Sequence, residues 1–113
     1  PTERFGAKSA KGISFKDVDF KDDNFNLRNK DLTGANFKGI KGTKYVRFND
    51  SILDQANFEG AELPPIDRFG AKSAKGISFK DVDFKNESYN FRGIDLTDAI
   101  FEGVKNTNYM RKN

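Results

Sequence analysis

Along most of this chain an apolar pair at spacing two recurs every five residues, and few backbones can bury such a pattern. Reading from Ile13, the pentads are ISFKD and VDFKD, then, after an interruption at Asn24, FNLRN, KDLTG, ANFKG and IKGTK. After Tyr45 come VRFND, SILDQ, ANFEG and AELPP; a second series reads ISFKD, VDFKN, YNFRG, IDLTD, AIFEG and VKNTN. The central residue is Phe15, Phe20, Leu27, Leu32, Phe37, Phe48, Leu53, Phe58 and Leu63, then Phe79, Phe84, Phe91, Leu96 and Phe101. Two residues earlier sits a small or apolar side chain such as Ile13, Val18, Ala35, Ile40 or Ala56. Within an extended segment such a pair points to one side, but the next pair begins three residues on, so a continuous strand would send alternate pairs to opposite faces. A helix fares no better, because five residues advance about 500° and the stripe drifts by about 140° per pentad. The pattern buries consistently only if the chain turns a corner after each short segment. Gly34, Gly39, Gly60, Gly93 and Gly103, with Asn29 and Asp98, close pentads where turn residues belong.

A chain that turns the same way every five residues winds into a coil, and stacked coils pair through backbone hydrogen bonds. Four sides make a coil of about 20 residues that rises about 4.8 Å. The A-(D/N)-(L/F)-x-x pattern of ANFKG, ANFEG, AELPP and KDLTG resembles the pentapeptide-repeat family, over roughly residues 13–65 and 77–108. The resemblance implies an all-β fold, a right-handed quadrilateral β-helix solenoid of about five coils with the central Phe or Leu stacked in ladders inside. IKGTK and VKNTN lack the central apolar residue, so Gly42 and Asn106 are expected to leave thin spots in the ladder.

A longer repeat lies over the short one. Arg4–Lys21 recurs unchanged as Arg68–Lys85, an offset of 64 residues, and 31 of the 46 positions from Arg4–Asn49 match Arg68–Asn113. Apolar positions exchange for apolar ones (Phe25 for Tyr89, Leu27 for Phe91, Val46 for Met110), whereas polar ones drift, as with Gly34 for Asp98 and Lys38 for Glu102. The chain is therefore read as one domain, 1–113, built from copies 4–67 and 68–113, the second truncated, in what reads as a fragment of a longer chain. If IDRFG and AKSAK form two further sides, each long repeat makes three whole coils, and Phe15 and Phe79 share a face about 14 Å apart. Alternatively, the irregular segment 64–76 protrudes as a loop or short helix between two β-helical pieces.

Composition limits the chemistry. With no His and no Cys, the chain has no His-dependent triad, no Cys nucleophile and no thiolate or imidazole zinc site; no metal and no cofactor is expected. No apolar run approaches a membrane span, so no membrane insertion and a cytoplasmic location are expected. Twenty basic against 17 acidic side chains leave a net charge of +3, too even for a nucleic-acid surface.

Candidate sites are few. RFGAKSAKG places Lys8, Lys11, Lys72 and Lys75 among small residues, where they could contact an anion or a partner; the second Gly followed by Lys and Ser or Thr that a phosphate loop needs is missing. Lysines there also blunt an exposed edge. Asp17–Asp23 and Asp81–Asp83 lack calcium-loop spacing and read as partners for lysines on neighbouring coils. No carboxylate pair is singled out for catalysis, and the inward parity of the aromatics opposes a base-stacking platform. The function expected is a non-enzymatic structural scaffold or protein–protein interaction module. Its partner is an unidentified protein, with an end-to-end homodimer as a further expectation. The alternatives are a DNA-mimicking topoisomerase-binding protein, which needs a long acidic surface, and weak polyanion binding through the lysine segments.

Overall fold

The computed structural model describes residues 9–112. Within them the chain turns after almost every pentad. The amide that opens one pentad donates to the carbonyl of the preceding central residue, as in Ala35 N–H to Leu32 O (3.0 Å), Ala56 N–H to Leu53 O (3.1 Å) and Val82 N–H to Phe79 O (2.9 Å). The last residue before that amide has positive φ, the geometry of a type II turn. Gly34, Gly39, Gly60, Gly93 and Gly103 hold it at no steric cost, and Asp17, Asp50, Gln55 and Asp81 adopt it despite their β-carbons. At Lys21–Asp22 and Lys85–Asn86 both turn residues have positive φ, as a type I′ turn requires.

Between turns, each segment pairs in parallel with one further along the chain. The pairs fall into four columns. The first joins Ser9, Asp31, Ile52 and Ser73; the second joins Ser14, Asn36, Asn57, Ser78 and Ile100. The third contains Asp19 with Lys41 and Asp83 with Lys105. The fourth holds the two-residue strands β1 (Phe25–Asn26) and β2 (Val46–Arg47), paired in parallel, and Asn90 with Arg111. Every step is 21 or 22 residues rather than 20. The excess has identifiable sources. One is the interruption after Phe20. Another is Gly42, which sits at φ +63° between Lys41 and Thr43.

That extra residue corrects the expected thin spot. Thr43, not Gly42, takes the inward position: it is buried, and its carbonyl accepts the turn hydrogen bond from Val46 N–H at 3.0 Å. Its hydroxyl donates to Glu62 O at 2.9 Å, so a polar side chain fills the ladder with its hydrogen bond satisfied. In the second copy Asn106 has positive φ and Thr107 accepts the turn bond from Met110 N–H.

The inward side chains stack along each column. Phe15, Phe37, Phe58, Phe79 and Phe101 form one continuous ladder, with ring centroids 5.6, 4.9, 6.1 and 5.5 Å apart in turn. Phe15 and Phe79 thus stand in the same ladder, three steps apart. A second ladder runs beside it through Leu27, Phe48, Phe69 and Phe91, with Phe48–Phe69 at 5.8 Å and Phe69–Phe91 at 6.0 Å. Leu32, Leu53 and Ala74 are buried on the first side, and Phe20 and Phe84 on the third. Phe15, Leu96 and Phe101 are half-buried at the two ends of the described residues, and Leu63 is half-buried on the third side. Each fully buried Phe contributes about 1.5–3 kcal/mol by removal from water.

Residues 64–76 hold the one helix among the described residues, the single turn α1 (Ile66–Phe69). The turn is part of the stack. Phe48 N–H donates to Arg68 O (2.7 Å), Asp50 N–H to Gly70 O (2.9 Å), and Leu53 N–H to Ser73 O (2.8 Å). Phe69, Ala71 and Ala74 are buried. Pro64 and Pro65 before α1 lack the N–H that a ladder position needs, and Pro pre-sets φ for a helical start.

Candidate functional site

The outward residues of the four columns are what the molecule offers to other molecules. Two residues into each side, a short polar side chain turns back to hold the next corner. Asp31 Oδ1 accepts from Thr33 N–H at 3.1 Å and from the Thr33 hydroxyl at 2.6 Å, and Asp95 does the same with Thr97 at 3.0 and 2.6 Å. Asn36 and Asn57 accept from Lys38 N–H and Glu59 N–H at 3.0 and 2.9 Å. These bonds order each corner at the segment ends. They also explain why Asp and Asn recur before the central apolar residue.

The threonine hydrogen bonds, with Lys11 and Lys75 nearby, hold the Asp31 and Asp95 carboxyls below the usual carboxylate range. Asp83 is lowered chiefly by the Asn106 amide, at 2.9 Å. Burial works to raise Glu62, but Gly42 N–H at 2.7 Å and Lys85 at 3.3 Å outweigh it and leave the group lowered. Tyr89 moves the other way. Its phenol is buried against the core, donates to Pro64 O, and is pushed upward mainly by that burial.

Of the lysines singled out from the sequence, Lys8 lies outside the described residues. Lys11 Nζ stands 3.6 Å from Asp31 Oδ2 and Lys75 Nζ 3.9 Å from Asp95 Oδ2, so each pairs with an aspartate about 20 residues further along the chain. Three coils, about 14 Å, separate the two pairs along the stack. Lys72 is exposed and borders a shallow depression with Asp31 and Asp50. Lys38 and Lys85 likewise pair with Glu59 (3.7 Å) and Glu62 (3.3 Å) on neighbouring coils. Exposed pairs of this kind stabilise little, and their main effect is to neutralise the surface locally.

The remaining cavities are shallow. One of about 340 Å³ on the third side is lined by Asp22, Thr43, Glu62, Leu63 and Lys85; one of about 630 Å³ opens beside Ile94, Leu96, Phe101 and Lys112. No group of three His, Cys, Asp or Glu that could hold a metal ion occurs among the described residues, and no helix there is long and apolar enough to cross a membrane.

Sequence reasoning placed Ser51 and Tyr89 at inward positions, and both are buried; it missed Phe69 and Thr43. The signal for Phe69 is its spacing, 21 residues after Phe48 and 22 before Phe91.

No protein-family model matches this chain, and no curated protein matches it. Among solved structures, a pentapeptide repeat protein (Rfr23) from the cyanobacterium Cyanothece 51142 aligns with 93% of the chain at 16% identity and a TM-score of 0.29. The chain spans 60% of the length of that protein.

Proposed function

We propose that this chain is a non-enzymatic scaffold or protein-interaction module of the pentapeptide-repeat type. On this reading the four columns are the sides of a right-handed, quadrilateral β-helix of about five coils, one domain made of two 64-residue repeats. The observation that carries the proposal is the division of labour in most pentads: the apolar pair enters a continuous inner ladder, and the other three residues build corners and outward columns. Such a body is stiff in itself, and its chemistry lies on flat outer sides rather than in a cavity. What it offers a partner is a fixed spacing of side chains along a straight axis.

Crosslinking of the purified protein in extract from its source organism, with the crosslinked residues mapped, tests this. Crosslinks to a defined protein that concentrate on one column support the reading; turnover of a substrate in an activity screen overturns it. A second copy stacked end to end is one partner the reading admits. Light scattering distinguishes the 12.8 kDa monomer from a species of twice that mass.

A further inference from the structure

All five arginines among the described residues lie on the fourth side. Arg47 pairs with Asn26 across β1 and β2, Arg68 O accepts from Phe48 N–H, and Arg111 pairs with Asn90. Arg28 and Arg92 open the turns that follow, their amides held by Asn26 Oδ1 and Asn90 Oδ1 at 2.9 and 3.0 Å. Lys11, Lys38, Lys75 and Lys85 pair with carboxylates, whereas Arg28, Arg47, Arg92 and Arg111, like the other described lysines, have none within 4 Å among the described residues; what sets these four arginines apart is that they are exposed together on one side. Arg68 differs: it is half-buried, 3.6 Å from Asp67, with its guanidinium 5.3 Å from the Tyr45 ring centre.

The two copies of the long repeat add an independent observation. After Lys21 and Lys85 the copies diverge, and three of the four lysines are replaced (Lys30 by Ile94, Lys38 by Glu102, Lys44 by Asn108), while Lys41 is kept as Lys105. Both arginines in that stretch are kept, Arg28 as Arg92 and Arg47 as Arg111, and so is Tyr45 as Tyr109 at the edge of the same side. Retention of guanidinium where ammonium drifts points to a need for the planar, bidentate fork rather than for positive charge alone.

We propose that the fourth side is a docking strip for an extended, carboxylate-rich segment of a partner protein; this rests on the interaction-module reading and names the partner's chemistry. Arg with Tyr is a combination enriched in protein-binding surfaces. Arg47 and Arg111 lie three coils apart, about 14 Å, a distance that about four extended residues span. The strip is one side wide, and within it Asp67 is the carboxylate beside Arg68, at 3.6 Å.

The test is fluorescence anisotropy with labelled dodecaglutamate and, in parallel, a twelve-nucleotide oligothymidine, both at low salt. Dodecaglutamate is expected to bind more tightly than the oligonucleotide. The combined variant R28Q/R47Q/R92Q/R111Q is expected to weaken it at least tenfold, whereas K16Q/K41Q/K80Q/K105Q, with the same change in charge, weakens it less than threefold. No peptide binding, tighter binding of oligothymidine, or equal weakening in both variants overturns the proposal. If the glutamine variant fails to fold, R28K/R47K/R92K/R111K replaces it: a several-fold loss at unchanged charge supports the strip, and no loss overturns it. A defined partner protein held equally by wild type and the arginine variant overturns the strip while leaving the scaffold reading in place.

Discussion

The Asp17 carboxylate lies over Gly39, in the space a β-carbon on that glycine would enter, and 64 residues later Asp81 lies over Gly103 in the same way. Both glycines also sit at positive φ, +69° and +72°. Two costs therefore attach to one position, and other glycines separate them. Gly34, at φ +70°, has open space around it, whereas a β-carbon on Gly42 would stand 2.5 Å from the backbone nitrogen of Lys21. Gly34→Ala is expected to cost about 1 kcal/mol from the left-handed conformation alone. Gly39→Ala should cost somewhat more, because the Asp17 side chain can swing away. Gly42→Ala should cost at least about 2–3 kcal/mol, because backbone cannot. Urea denaturation of the three variants checks the order; a Gly42→Ala no worse than Gly34→Ala would contradict it.

The ladder should be most sensitive at its middle. Phe58 is fully buried and meets Phe37, Phe48, Phe69 and Phe79 at centroid distances of 4.9–6.1 Å. Phe58→Ala is expected to cost about 3–5 kcal/mol, a large part of the stability of a domain this size. Phe101 is half-buried beneath Lys112, whose Nζ lies 4.0 Å from the ring centre. Phe101→Ala should cost well under half as much as Phe58→Ala. Denaturant midpoints of the two variants, measured together, give the comparison.

Ser51 is fully buried, donates to Leu27 O and accepts from Lys30 N–H at 3.2 Å. Ser51→Ala keeps the volume nearly constant but strands a buried carbonyl and an amide. The expected loss is about 1–3 kcal/mol. Hydrogen exchange should show the Lys30 amide losing protection ahead of amides on other sides.

Two limbs are expected in the dependence of stability on pH. Asp31, Asp83, Asp95 and Glu62 have lowered folded-state values, so the unfolded chain binds their protons more readily. Their contribution is present above the ordinary carboxylate range, near pH 4, and is lost as pH falls through the lower folded values. Tyr89 has a raised folded-state value, so its contribution is present below pH about 10 and is lost as pH rises beyond it. Thermal unfolding from pH 2 to 12 should show both limbs. Thr33→Val should shrink the acid limb, and Tyr89→Phe should remove the part of the alkaline loss that Tyr89 supplies.

Much of this arrangement is legible in the chain before any coordinate is known. The apolar pair and its corner residue predict short segments separated by turns, and the glycines named from the pentads all lie at positive φ. The errors have one physical origin. Counting by five assumes that every residue belongs to a side, but Gly42 is an extra residue in a left-handed conformation, so the inward position passes to Thr43. Phe69 was hidden for a related reason: it enters the ladder from a helical turn whose neighbours, Pro65, Asp67 and Arg68, carry no pentad signature. The arginine side was illegible because its members occupy different pentad positions and fall together only when the coil is known to be 21 or 22 residues rather than 20.

That coil length has a consequence for how such a molecule can grow. Sixty-four residues are two coils of 21 and one of 22, so a tandem duplication of this length adds whole coils and returns every copied side chain to the side it came from. Three coils of 20 would total 60, and a copy of that length inserted here would leave the added stretch about a fifth of a coil out of phase. A unit of 64 therefore lengthens the body while keeping each surface chemically continuous, so that a partner reading one side would meet the same residues again at a fixed distance along it.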